Sequence, residues 1–253
     1  MNQQRKEKIV EMIIRDRSVK NTDLMRIFDI SIETVRRDLE YLEKRGLLKR
    51  VYGGAIAPQP LGVEPEYACR EQENHAEKVR IAMEAAKLVD QHDVVFFDLG
   101  TTVLAMVPYI KADCHITAFT NSLRTAIALS DLPNCQIMLP GGQLRPGELT
   151  LSGYPAEQNM EQFNVDKVFI GVGGITEDGI SDYHTAECSL RRHAVSNARQ
   201  VIALADGSKF GVRAMNKVCS LREIDVLITD ASAPEEMLQA AEKAGVRVIV
   251  TGK

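Results

Sequence analysis

Seven short apolar runs punctuate the last two thirds of this chain: VVFFD (94 to 98), HITAFT (115 to 120), CQIML (135 to 139), KVFIGV (167 to 172), QVIALA (200 to 205), DVLIT (225 to 229) and VRVIV (246 to 250). Each run is continuous rather than alternating, and stretches of helical character lie between them. A strand that is apolar on both sides needs both faces covered, which a parallel sheet between helix layers provides. Before the first run, residues 75 to 90 read as a helix with Val79, Met83, Ala86 and Val89 in phase. At 253 residues there is room for this α/β body and a second, smaller domain.

The first 56 residues differ in texture. Ile9, Met12 and Ile13 share a face over residues 3 to 15, and Asn21 is placed to cap a second helix carrying Leu24, Ile27 and Phe28. After a tight break at Asp29-Ile-Ser31, Ser31 can cap a third helix whose Ile32, Val35, Leu39 and Leu42 form its apolar side, with Gly46 as C-cap. The basic LLKRVYGGAI that follows has β-branched residues and a Gly-Gly turn, as in a β-hairpin wing. Three helices and a wing make a winged helix-turn-helix. Residues 57 to 74 begin with APQPLGVEPEY, three prolines in eleven residues, and read as a linker. The expected domains are therefore 1 to 56, a linker over 57 to 74, and 75 to 253.

Charge divides the same way. Residues 1 to 56 hold 13 Lys/Arg against 9 Asp/Glu, while the rest holds 18 against 26, for a net charge of −4. Only the basic head suits a polyanion. On the third helix the residues off the apolar face are Glu33, Thr34, Arg36, Arg37 and Glu40. Arginines there can grip guanine edges or phosphates, Thr34 can reach base or backbone, and Lys49 and Arg50 on the wing can add phosphate contacts. Asp38 is placed to hold one of the adjacent guanidiniums in a fixed direction. The opposing reading is a solvated helix face.

The segment TVRRDLEYLEKRGLLKRVYGGA (34 to 55) resembles the recognition helix and wing of the DeoR family of bacterial transcriptional regulators. That resemblance implies contacts to double-stranded operator DNA from Ser31, Glu33, Thr34, Arg36, Arg37, Lys49, Arg50 and Tyr52.

In the body, Asp98-Leu-Gly-Thr-Thr102 joins a strand to a helix. Gly100 permits a sharp turn, Thr101 and Thr102 offer hydroxyls, and the helix amides suit a phosphate. Further polar loops follow other strands: Asn121 and Ser122, the PGGQLR stretch with Gly141, Gly142 and Arg145, the GVGG stretch with Gly171 and Gly173, and Lys209 in DGSKFG. Loops at the C-terminal ends of parallel strands share one edge and form a ligand crevice. Such a crevice would suit a small phosphorylated, hydroxylated molecule.

The body is similar to the effector domain of the same family, which resembles ribose-5-phosphate isomerase. By that resemblance Gly100, Thr101 and Thr102 belong near a phosphate, with Asn121, Arg145, Glu187 and Lys209 around a sugar or polyol. The isomerase has an Asp-Gly-Ala-Asp-Glu segment where this chain reads GVGGI, so binding without turnover is expected, and an isomerase with a regulatory head is the alternative. A protein-interaction module on an inert body is a third reading. His184 lies in a loop that could touch the ligand.

No metal or cofactor is expected: the five histidines lack ligand spacing, and no P-loop or G-x-G-x-x-G occurs. Five dispersed cysteines, no apolar leader and no long apolar window lead us to expect a cytoplasmic protein that does not enter the membrane. A homo-dimer or homo-tetramer is expected, so that two heads reach paired half-sites.

Overall fold

The computed structural model describes residues 2 to 16, 18 to 43, 45, 47 to 51, 53 to 57 and 63 to 252. Contacts divide the chain into two units, Met1–Pro60 and Leu61–Lys253.

The first unit contains α1 (Asn2–Asp16), β1 (Ser18–Lys20), α2 (Asn21–Phe28), α3 (Ile32–Glu43), β2 (Lys49–Val51) and β3 (Gly54–Ile56). Ile9, Ile13, Leu24, Val35, Leu39, Leu42 and Leu48 are buried together in its core, whereas Ile27, expected inside, is 49% exposed. The α2–α3 break is made by Asp29 in the left-handed region (φ 48°), whose neighbour Ile30 donates its N–H to the Met25 carbonyl at 3.2 Å. Ser31 caps α3 by accepting the Thr34 N–H at 3.4 Å. Gly46 lies outside the described residues.

The wing is larger than a hairpin. β1 joins it to give an antiparallel sheet of order β1-β3-β2. This explains both glycines. Gly53 turns at φ +84°, and a Cβ on Gly54 would stand 2.0 Å from the Val19 carbonyl oxygen of β1. Because β1 runs directly into α2, Lys20 rather than Asn21 occupies the cap position, and the Asn21 N–H donates to the Gly53 carbonyl at 2.8 Å.

The second unit begins earlier than expected. The segment read as a linker contains α4 (Tyr67–Gln72), and residues 63 to 74 belong to the α/β unit. Ion pairs hold this proline-bearing stretch in place, and composition gives no sign of them. There follow α5 (His75–Ala86), β4 (Val94–Phe97), α6 (Thr101–Met106), β5 (Ile116–Thr120), α7 (Leu123–Leu129) and β6 (Cys135–Met138). A hairpin, β7 (Gln143–Arg145) and β8 (Thr150–Ser152), leads to α8 (Tyr154–Met160) and β9 (Val165–Gly171). Next come β10 (Gly174–Thr176), β11 (Gly179–Asp182), α9 (Thr185–Ser196), β12 (Ala198–Leu204) and β13 (Asn216–Cys219). The unit ends with β14 (Val226–Asp230), α10 (Glu235–Lys243) and β15 (Arg247–Thr251).

All seven apolar runs form one sheet of order β15-β14-β12-β9-β4-β5-β6, parallel at every pairing. Along β4, Phe96 packs into one apolar cluster, and Val95 and Phe97 into the other. Along β9, Val168 and Ile170 face the first and Phe169 the second. Both faces are dry, which is why the runs do not alternate. The order reverses at β4 and β9: the chain leaves β4 for β5 and β6 on one side, then crosses to β9, β12, β14 and β15 on the other. The loops diverge there and leave a crevice at the carboxyl ends.

Phase matters on α5. Its buried face is Lys78, Ile81, Ala82, Ala85 and Ala86, and Met83 is 46% exposed. The phase through Val79 and Met83 is therefore wrong by one position, and the correct phase turns a lysine inward.

Candidate functional site

On α3, Glu33, Arg36 and Arg37 are exposed, and Thr34 is half-buried with its hydroxyl 3.1 Å from that of Ser31. Asp38 does not steer the neighbouring arginines. It is buried and pairs with Arg5 of α1 at 2.6 Å, with Lys6 3.9 Å away. Asp38 follows Val35 by three positions, so it falls on the packed side of the helix. Among the described residues Arg36 and Arg37 make no ion pair or side-chain hydrogen bond, so their guanidiniums remain available to an external anion. On the wing Lys49 and Arg50 are exposed, and Glu43 accepts from Arg50 Nε at 2.6 Å and from its N–H at 2.7 Å. Tyr52 lies outside the described residues.

The α/β unit has a cleft at the sheet's switch point. Leu99, Gly100, Thr101 and Thr102 line it from the end of β4, Gly171, Val172 and Gly173 from the end of β9, Asp182 and Tyr183 from the end of β11, and Lys209 after β12. Glu64, Pro65, Arg70 and Lys78 complete it from the segment before β4. The close approach of its two walls requires a glycine, since a Cβ on Gly171 would lie 2.7 Å from the Leu99 carbonyl oxygen.

Three cations line this cleft, and its two carboxylates already have partners. Asp182 accepts from Arg191 at 2.6 Å, and Glu64 pairs with Arg145 at 2.7 Å and Arg70 at 3.1 Å. The α6 helix is six residues long. Its dipole supplies at most about half a charge, so Arg70, Lys78 and Lys209 dominate the potential. Lys78 is 3% exposed and donates to the Arg70 carbonyl, and burial pushes its ammonium below the ordinary lysine value. Burial alone would raise Asp206, but Lys209 and hydrogen bonds from Ser208 and Asn74 hold it below the ordinary carboxylate value.

Of the residues singled out from sequence, Gly100, Thr101, Thr102, Gly171, Gly173 and Lys209 meet at this cleft. Asp98 lies beneath it, fully buried, accepting the Gly171 N–H at 3.2 Å. Arg145 and Glu187 pair with each other at 3.0 Å, and Glu187 also accepts from the Thr150 hydroxyl. They join the cleft through Glu64. Asn121, Ser122, Gly141 and Gly142 do not line it. Ser122 caps α7 through the Thr125 N–H at 3.2 Å, and Gly142 packs on β8, where a Cβ would stand 2.5 Å from the Ser152 carbonyl oxygen. Gly141, at φ +72°, has room beside Asn159. Asn121 is 1% exposed, and among the described residues neither of its amide atoms finds a partner. His184 sits with Nδ1 4.0 Å from Glu187.

Sequence reasoning missed Glu64, Arg70 and Lys78, and in the loop around His184 it is Asp182 and Tyr183 that line the cleft. A helical wheel shifted by one position would have exposed Lys78. Nothing local marks Arg70.

Among the described residues, no group of His, Cys, Asp and Glu could hold a metal ion, and no helix is long and apolar enough to cross a membrane.

A helix-turn-helix with a wing, followed by an α/β unit with a cation-lined switch-point cleft, defines a DNA-binding transcriptional regulator with a sensor domain. Residues 5–60 match the DeoR-like helix-turn-helix domain and residues 73–231 the DeoR C terminal sensor domain. The chain belongs to the DeoR family. It is similar to the transcriptional regulator YulB of Bacillus subtilis (36% identical over 97% of this chain and 95% of that protein). It is 34% identical to the transcriptional repressor GlcR of the same organism (96% and 94%), and 32% identical to the glycerol-3-phosphate regulon repressor of Escherichia coli K12 (93% and 94%). Among solved structures, ribose 5-phosphate isomerase A of Methanocaldococcus jannaschii aligns with a TM-score of 0.41 at 16% identity over 55% of each chain. The delta subunit of eIF2B from Chaetomium thermophilum aligns at 0.46 and 13% over 62% of this chain and 56% of that one. Neither likeness bears on activity.

Proposed function

We propose that the protein represses genes of carbohydrate transport or catabolism and leaves its operator when a phosphorylated sugar or polyol enters the switch-point cleft. The observation that carries this reading is that Arg70, Lys78 and Lys209 line one cleft with the Gly100–Thr102 loop, three cations beside a glycine turn and two threonines. A phosphate monoester satisfies that set, and an uncharged sugar does not. Relatives named as repressors, one of them of a glycerol-3-phosphate regulon, agree with it. Arg36 and Arg37 supply the duplex contacts, and the protein acts in the cytoplasm as a homo-dimer or homo-tetramer that presents two α3 helices to paired half-sites.

The cleft binds without turnover. Glu187, the carboxylate that the resemblance puts beside the sugar, is 3% exposed and engaged by Arg145 and Thr150. A base must reach the proton it removes.

A thermal-shift screen of the whole chain against phosphorylated and unphosphorylated sugars and polyols tests this reading. A phosphorylated ligand is expected to raise the melting temperature and release promoter DNA, with its unphosphorylated parent inert. Lys209→Gln is expected to weaken that ligand about tenfold, equivalent to about 1.4 kcal/mol. If no phosphorylated compound shifts the transition, or if ribose 5-phosphate is converted to its ketose at enzymatic rates, the proposal is wrong.

A further inference from the structure

Residues 64 to 70, at the start of the α/β unit, are fastened to the cleft by charge. Arg70 donates through Nε to the Pro65 carbonyl at 3.0 Å, and its Nη2 lies 3.1 Å from Glu64 and also donates to Glu148. Glu64 reaches on to Arg145 at 2.7 Å. One guanidinium thus folds residues 64 to 70 onto themselves, and Glu148 anchors them to the loop between β7 and β8. The Glu64 and Arg70 side chains are only 10% and 12% exposed, so solvent screens these contacts poorly.

Both partners line the cleft, alongside Lys78 and Lys209. A carboxylate therefore already occupies the cation cluster. A phosphate dianion cannot enter beside it without like-charge repulsion, and Arg70 is the cation with most to gain by changing partner, because a guanidinium binds a phosphate in bidentate fashion.

We propose that Glu64 is a resident anion standing in for the ligand's phosphate, and that the ligand is detected by partner exchange at Arg70, which releases Glu64 and Pro65. This rests on the reading of the cleft given above and adds its regulation. Glu64 lies four residues beyond Pro60, where the helix-turn-helix unit ends, so the freed stretch is the covalent attachment of the DNA-binding unit. Exchange also sets selectivity: a dianionic phosphate monoester displaces the carboxylate, whereas a sugar acid of equal charge to Glu64 gains nothing.

The test is calorimetric titration of the full chain with inorganic phosphate, together with hydrogen exchange of the amides of residues 63 to 73. Glu64→Gln keeps the shape and removes the competing charge. It is expected to tighten phosphate binding about tenfold, within the usual range of coupling between sites. In the parent, phosphate should speed exchange across residues 63 to 73; in Glu64→Gln, exchange should be fast before phosphate is added. Lys209→Gln separates the two ideas. If it weakens phosphate binding about tenfold while Glu64→Gln leaves affinity and exchange unchanged, the cleft stands and the exchange mechanism falls. If phosphate does not bind, or binds equally well without Lys209, the reading of the cleft falls and takes this one with it. Should Glu64→Gln fail to fold, Glu148→Gln removes the other carboxylate from Arg70. A several-fold gain in affinity is then expected, and no gain overturns the exchange.

Discussion

The guanidinium of Arg191 stands 2.5 Å from the carboxylate of Asp98, and each side chain is 1% exposed. Arg191 also donates to Asp182 at 2.6 Å. One residue of α9 thus braces the cleft from below, at the loop after β4 and at the end of β11. Solvation cannot compensate the charges of Asp98 and Arg191, so each depends on the other.

Replacing Arg191 with Ala would leave the buried Asp98 carboxylate, and the half-buried Asp182 carboxylate near it, without their cation. Removing one partner from a buried ion pair costs about 3 to 5 kcal/mol. Urea denaturation of the full chain should show the α/β unit losing stability in that range, and a loss under 1 kcal/mol would show that the cluster is not buried as described.

The same cluster gives a pH dependence. Burial pushes Asp98 up to about 6 although Arg191 pulls the other way, and Asp182 adds to the rise. The folded carboxyl therefore holds its proton more tightly than the unfolded one, whose ordinary value is 3.8. Its contribution to stability is fully present below 3.8, is lost as pH rises to about 6, and is constant above that. The stability difference between the parent and Asp98→Asn, measured by urea midpoints, should fall between those limits. A rise over the same interval would contradict the assignment.

Gly54→Ala puts a methyl group 2.0 Å from the Val19 carbonyl oxygen. Overpacking of this kind costs about 1 to 3 kcal/mol. Hydrogen exchange at the Val19 and Ala55 amides should accelerate accordingly, with the amides of β9 and β12 unaffected.

Arg36→Ala with Arg37→Ala removes two exposed cations without touching the core. Melting should be unchanged. Binding to promoter DNA should weaken, and the slope of log affinity against log salt should shrink by about 1 for each phosphate no longer neutralised. Unchanged affinity and slope would remove α3 from the groove.

The seven strands and the helix-turn-helix were legible in the amino-acid order alone, because both are written locally: a run apolar on both sides, or a cap followed by a 3.6-residue period, needs no knowledge of the rest of the chain. The same local reading placed Gly100, Thr101, Thr102 and Lys209 at strand ends. Tertiary packing was needed to establish that β9 returns beside β4, which puts the crevice at that junction and leaves Ser122 and Gly142 to capping and packing. It also turned Lys78 inward and drew Glu64 to Arg145 across 81 positions and Arg70 to Glu148 across 78. Pairings of that separation depend on the path of the intervening strands and leave no local pattern, so a proline-rich stretch with the composition of a tether is part of the cleft wall.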